Sequence, residues 1–159
     1  MWYSMNFSDG IVDRFFLCCN PPTVTHQEKK IVVNKKTGKP HTYEPPELKD
    51  ARELYLSLLS RHRPAAPLSG PAGLQVDWYF PTRRKSQNDM WKTTKPDTDN
   101  LNKLLKDCMT ECGFWKDDAQ VVREVITKMW SFDFAGIMVT VYDLSKFTPD
   151  GTKIDQKGA

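Results

Sequence analysis

The feature that most constrains this chain is a seven-residue run in which Leu74, Val76, Trp78 and Phe80 alternate with Gln75, Asp77 and Tyr79. A period of two sends the four large apolar side chains to one face of a strand, and a face carrying two aromatic rings has to be covered. The cover is legible downstream. Leu101, Leu104, Leu105, Cys108, Met109 and Cys112 recur at intervals of three and four, which predicts an amphipathic helix, and Gly113 follows as its C-terminal cap. Pro45 and Pro46 open a second helix predicted to run to about His62, with Leu48, Ala51, Tyr55 and Leu58 on one face.

The remaining apolar runs read as strands. Arg14 to Cys19 is stopped by Pro21 and Pro22, and Lys30–Val33 and His41–Tyr43 flank the turn-rich stretch from Asn34 to Pro40 as a hairpin. Val121–Trp130 and Ile137–Tyr142, joined around Asp133 and Gly136, are expected to close the fold as an antiparallel hairpin. The order gives an α+β fold: a sheet of about six strands with two helices packed against it. A chain of 159 residues, 39% of them apolar, supplies one core. The expected division is a flexible leader at 1–13, a single domain at 14–144 and a flexible tail at 145–159.

No stretch approaches the roughly 20 apolar residues of a membrane span, and Met1 to Gly10 lacks the layout of a signal peptide, so a soluble cytoplasmic protein with no membrane partner is expected. Four cysteines, two of them adjacent at Cys18 and Cys19, do not form a disulfide framework. Cys108 and Cys112 share a helix face, but the adjacent pair makes poor zinc co-ligands, and all four read as reduced small hydrophobes.

The net charge of +3 conceals a segregation. From His26 to His41, the five lysines Lys29, Lys30, Lys35, Lys36 and Lys39 oppose only Glu28, a net +4. From Pro81 to Lys95, the five cations Arg83, Arg84, Lys85, Lys92 and Lys95 oppose only Asp89, again a net +4. Between Asp97 and Asp118, six carboxylates face three lysines, a net −3. Two basic arms around an acidic centre suit a metal-dependent nuclease, in which cations hold a phosphate backbone and carboxylates hold the ions that promote its cleavage. Each basic arm taken alone would read as a solvated loop, so the acidic cluster decides the assignment.

Asp97 and Asp99 lie two apart, after Pro96 and at the start of the helix. In an extended entry both carboxylates point the same way, toward one ion. Asp99 would serve equally as an N-cap. Lys103 follows Asp99 by four residues and Asp107 follows by eight, forming a polar row opposite the apolar stripe. Asp117 and Asp118 come after the helix, where a returning chain can bring them toward Asp97, although alone they would read as a polar turn. Carboxylates gathered in this way repel one another unless a cation intervenes, and Mg²⁺, a hard ion that keeps exchangeable waters, matches them.

The block Lys95-Pro96-Asp97-Thr98-Asp99-Asn100-Leu101-Asn102-Lys103, then Asp107, then Trp115-Lys116-Asp117-Asp118-Ala119-Gln120-Val121 resembles the signature of the RusA Holliday junction resolvases of bacteria and their prophages. The resemblance extends more weakly from Arg14 to Leu144 and includes Lys128. It implies a mixed sheet and a homodimeric, Mg²⁺-dependent endonuclease, with Mn²⁺ able to substitute and no nucleotide cofactor. Such an enzyme cuts four-way DNA junctions with paired nicks, leaving a 5′-phosphate and a 3′-hydroxyl. The resemblance places the metal on Asp97, Asp99 and Asp118 and the essential lysine on Lys103, with Asp107, Asp117 and Lys128 in support.

The DNA contacts are expected at Lys29, Lys30, Arg83, Arg84, Lys85, Lys92 and Lys95. Trp91, amid these cations, reads as the anchor of its loop, with base stacking as the alternative. A restriction-like nuclease would need an acidic residue, any residue and a lysine in close order after Asp97, which is absent from Asp97 to Trp130, and Glu124 with Lys128 has the wrong interval. A catalytically dead DNA-binding protein remains as a reading from a different class.

Overall fold

The structure, a computed structural model, describes residues 7–25 and 30–155. A four-stranded sheet is built in the spatial order β1 (Ile11–Leu17), β6 (Gly136–Asp143), β4 (Ala72–Pro81) and β5 (Val121–Ser131). Strand β4 pairs antiparallel with β6 and parallel with β5, so the sheet is mixed. The strands β2 (Lys30–Val33) and β3 (Pro40–Tyr43) form a separate two-stranded sheet. Two helices, α1 (Pro46–Leu59) and α2 (Thr98–Cys112), complete an α+β fold.

The alternation in β4 has the expected outcome. Leu74, Val76 and Trp78 are fully buried and Phe80 nearly so, facing Leu48, Ala51, Tyr55 and Leu59 of α1 and Leu101, Leu104, Leu105, Cys108 and Met109 of α2. Phe15, Leu17, Ile137, Val139 and Val141 extend the same layer. Burying a side chain of this size contributes about 1.5–3 kcal/mol, so this single layer dominates the stability. Gly113 ends α2 at φ 84°, a left-handed conformation that a residue bearing Cβ resists, and its N–H caps the helix on Met109 and Thr110 carbonyls.

The expected hairpin of the last two strands is corrected. β5 and β6 do not pair with each other, because β4 lies between them. A four-residue link (132–135) spans at most about 14 Å, enough to pass one strand at a spacing of about 4.8 Å. β4, whose inward face is wholly apolar, takes the centre and uses both edges. Its parallel pairing with β5 requires a crossover, and α2 supplies it. Gly136 is obligatory at the return, since a Cβ there would sit 2.2 Å from the Phe16 ring.

Three boundaries also shift. Ordered structure begins before Arg14, since β1 starts at Ile11 and Phe7 is buried against Tyr142 and Leu144. After Leu144, Phe147 packs edge-on against Phe7 and pairs with Lys153, so the expected flexible leader and tail are tied to each other through residues 7–13 and 145–155. Helix α1 stops at Leu59, which takes the buried position expected for Leu58, because the helical period of 3.6 places it one turn beyond Tyr55.

Candidate active site

The chain between β4 and α2 is held against the outer edge of β5. Asp89, at φ 61°, turns the backbone back. Asp89 N–H then donates to the Trp130 carbonyl (3.0 Å), Trp130 N–H to the Met90 carbonyl (2.9 Å) and Lys92 N–H to the Lys128 carbonyl (3.0 Å). Two lysines pin the segment that enters α2. Lys128 donates to the carbonyls of Thr94 (2.9 Å) and Pro96 (2.7 Å). Lys92 donates to the Thr94 hydroxyl (2.6 Å), the Thr94 carbonyl (3.1 Å) and the Lys95 carbonyl.

Lys92 is therefore removed from the set of expected DNA contacts. It is only 6% exposed and lies over the rings of Phe80 (5.0 Å) and Trp130 (4.8 Å). Burial, with the neighbouring Lys128 charge, lowers its pKa. Its carbonyl partners explain why a cation persists there: each hydrogen bond fixes part of the segment that delivers Asp97.

Asp97 occupies the N-cap position of α2. Its carbonyl accepts from Leu101 N–H (3.1 Å), but its side chain makes no capping bond. The cap therefore falls on Asp97 by backbone geometry, in place of the expected Asp99, and the Asp97 carboxylate is not consumed by the role. Asp99 lies in the first turn. Both residues are exposed, and neither carboxylate has a hydrogen-bond or ion-pair partner among the described residues. Two negative charges at this end of a 15-residue helix are favoured by its dipole.

One turn on, Lys103 contacts Asp107 at 3.1 Å and Asp118 at 3.6 Å. The Asp107 hydrogen bond, reinforced by the Asp118 charge, raises the Lys103 pKa. The structure thus brings Asp118, from after the helix, to the row begun by Asp99. It does not gather a cage: among the described residues no three of His, Cys, Asp and Glu lie together as a metal-binding group.

Asp118 opens a 3-10 turn (Asp118–Gln120) that is locked from both sides. Asp117 accepts from Ala119 N–H (2.8 Å), while the Gln120 amide oxygen accepts from the N–H groups of Lys116 (2.9 Å) and Asp117 (3.2 Å). The Gln120 amide nitrogen donates to the carbonyls of Leu68 (2.8 Å) and Gly70 (3.0 Å). Asp117 is therefore spent on the turn that aims Asp118, and Gln120 is the clip that holds that turn to the rest of the fold.

Sequence reasoning missed the polar element in the core. Asn102 is fully buried, accepts from the Trp78 indole (2.9 Å) and donates to Glu124 (2.8 Å), whose other oxygen pairs with Lys106 (3.0 Å). The chain of contacts fixes the rotation of α2 on β4 and β5, and with it the outward row of Asp99, Lys103 and Asp107. A signal existed: Asn102 interrupts the apolar stripe directly after Leu101, and Trp78 brings an N–H that must be satisfied when buried.

Of the expected DNA contacts, Arg83, Arg84, Lys85 and Lys95 are exposed, with no acidic partner among the described residues. Lys29 lies outside the described residues, and Lys30 opens β2. The Trp91 side chain does not anchor its loop, since the residue stands 71% exposed. The cysteines are all free. Burial pushes the Cys108 thiol up to about 12, which suits a packed small hydrophobe rather than a metal ligand.

The mixed sheet thus carries a carboxylate-bearing crossover helix with a basic loop beside it. Residues 21–142 match the family described as endodeoxyribonuclease RusA, and the chain belongs to that family. The uncharacterized protein YqaN of Bacillus subtilis (strain 168) is 32% identical over 107 residues, 60% of this chain and 75% of its own length. The crossover junction endodeoxyribonuclease RusA of Lactococcus phage r1t is 40% identical over 52 residues, 33% of this chain and 40% of the phage protein. That of Escherichia coli (strain K12) is 37% identical over 62 residues, 39% of this chain and 43% of the E. coli protein. The match thus spans about two-fifths of each named resolvase. No helix among the described residues is long and apolar enough to cross a membrane.

Proposed function

We propose that the chain is a Mg²⁺-dependent, structure-specific endodeoxyribonuclease that resolves four-way DNA junctions by paired nicks, in the recombination and repair of bacterial or prophage DNA in the cytoplasm. One observation carries the reading: two carboxylates without partners stand at the head of α2, in line with a lysine that holds a third acidic residue. The donor set fits a hard divalent ion, because Mg²⁺ typically takes one or two carboxylates and completes its shell with water and substrate phosphate. Asp97 and Asp99 would hold it, with Asp118 nearby, and Mn²⁺ would substitute. When bound, such an ion lowers the pKa of a water and polarises the scissile phosphate.

The chain's own groups supply the rest. Lys103 donates toward charge that develops on the phosphate oxygens, and its contacts with Asp107 and Asp118 favour the ammonium form. Asp107 and Asp118 orient its ammonium. Lys92 and Lys128 keep the segment at 94–96 in place, so that Asp97 is presented before substrate arrives. Arg83, Arg84, Lys85 and Lys95 attract the backbone from a loop leading into the site. A homodimer would place two such sites on a two-fold junction, one for each nick.

The test compares synthetic four-way junctions with linear duplex of matching sequence, with and without Mg²⁺, for wild type and Asp97→Asn. Junction cutting that needs metal and is lost in Asp97→Asn while binding persists is expected. Equal cutting of linear duplex would remove the junction specificity and leave a nuclease. Cutting retained in Asp97→Asn would remove the site itself.

A further inference from the structure

We propose that Trp91 is a stacking platform for a nucleobase exposed at the branch point of the DNA, an inference that rests on the junction reading above. Among the described residues it is the most exposed aromatic, at 71%. The next residue, Lys92, is buried over Phe80 and Trp130, and alternation along this bridged stretch sends the Trp91 ring to the outer face. The ring that remains outside belongs to a stretch of the loop bonded to β5. Trp91 pairs with Met129 on the edge of β5, and two hydrogen bonds bracket it, from Trp130 N–H to the Met90 carbonyl and from Lys92 N–H to the Lys128 carbonyl. An aromatic side chain on a fixed backbone loses little freedom when something stacks on it.

Its surroundings choose the occupant. The same loop carries Arg83, Arg84, Lys85 and Lys95, all exposed and all without an acidic partner among the described residues. A basic surface with one projecting ring matches a polyanion that also offers flat faces, which is the chemistry of a nucleic acid with unstacked bases. A second copy of this chain would bring the same cations against themselves, at a cost in repulsion. The location is suitable as well. Lys128, next to Met129, donates to the carbonyl of Pro96, the residue before Asp97, so one piece of backbone couples the ring to the carboxylates. In continuous duplex every base is stacked on both sides, whereas the base pairs around the centre of a junction held open each lose a neighbour and leave a face free.

The experiment measures binding of Asp97→Asn protein, and of Asp97→Asn with Trp91→Ala or Trp91→Phe, to a four-way junction and to linear duplex. One junction set carries 2-aminopurine at the branch. Loss of about tenfold in junction affinity for Trp91→Ala is expected, with Trp91→Phe near the parent and duplex affinity unchanged. The 2-aminopurine signal should respond to the parent and to Trp91→Phe and stay silent with Trp91→Ala. Equal loss on duplex, or no loss on either DNA, overturns the proposal. So does a change from dimer to monomer in Trp91→Ala by sedimentation, which would assign the ring to a second copy. Circular dichroism of each variant separates these outcomes from misfolding, and if Trp91→Ala does not fold, Trp91→Leu, which keeps apolar bulk but has no ring, decides the matter by the same loss or its absence. Parent protein that does not prefer junction over duplex defeats the junction reading instead, and is distinguishable because it requires no change at Trp91.

Discussion

The two acidic doublets of this chain are built on opposite plans. Asp97 and Asp99 come from an extended residue and the first turn of a helix, and their carboxylates bond to nothing in the described chain. Asp117 and Asp118 each have a partner, the first in capping its own turn and the second in Lys103. The difference separates two ways of using a carboxylate. A charge left without partners is available to an ion and contributes little to folding, whereas a charge already paired holds the fold and the lysine beside it. The scaffold around the free doublet does the complementary work: Lys92 and Lys128 bond to carbonyls of the backbone and leave the acidic side chains alone.

The comparison can be broken most sharply at Asp99. Asp99→Asn should reduce junction cleavage about a hundredfold or more, while thermal stability moves by no more than about 0.5 kcal/mol, as for an unpartnered surface residue. A large drop in stability would show that the free doublet is structural after all. Gln120→Ala should do the reverse, destabilising by roughly 2 kcal/mol through loss of hydrogen bonds to Leu68, Gly70, Lys116 and Asp117. Chemical denaturation reads this directly, and an unchanged midpoint would mean that the turn holds itself.

A smaller contrast separates the two kinds of cation. Lys92→Met should lower cleavage several-fold with the salt dependence of DNA binding intact, because the side chain touches carbonyls and rings. Arg84→Ala should instead flatten the salt slope by about one unit. Interchanged results would return Lys92 to the DNA interface. The smallest effect concerns pH. Because the Lys103 pKa is raised above its ordinary 10.5, the folded state binds more protons than the unfolded state over the interval above that value. Stability from its pairs with Asp107 and Asp118 is therefore complete below about pH 10 and declines above it. Melting curves of wild type and Lys103→Met should converge as pH rises through that interval, and parallel curves would show the pairs to be without weight.

Much of the fold follows from local pattern. The alternation through Phe80, the stripe through Cys112 and the glycine at 113 are each decided within a few residues, so the buried face of β4 and the cap of α2 were readable. The doublets at 97 and 117 were equally plain, since their residue types and spacing need no partner to be noticed. What eluded the linear reading involves choices between distant segments. Nothing between Val121 and Tyr142 says that β4 will insert between the last two strands. Lys92 looks like any cation in a basic loop until the rings of Phe80 and Trp130 are brought beneath it. Asn102 looks like an error in an apolar stripe until Trp78 arrives with its indole N–H.

The residues alone determined the chemistry on offer: acidic pairs at fixed spacing, a lysine one helical turn beyond, and a layer of large apolar side chains that had to be covered. Only the tertiary structure decided which of those charges are spent and which are kept. Pairing energies fall off within a few ångströms, so whether a carboxylate meets Lys103 or meets nothing depends on contacts that the chain makes only once it is folded.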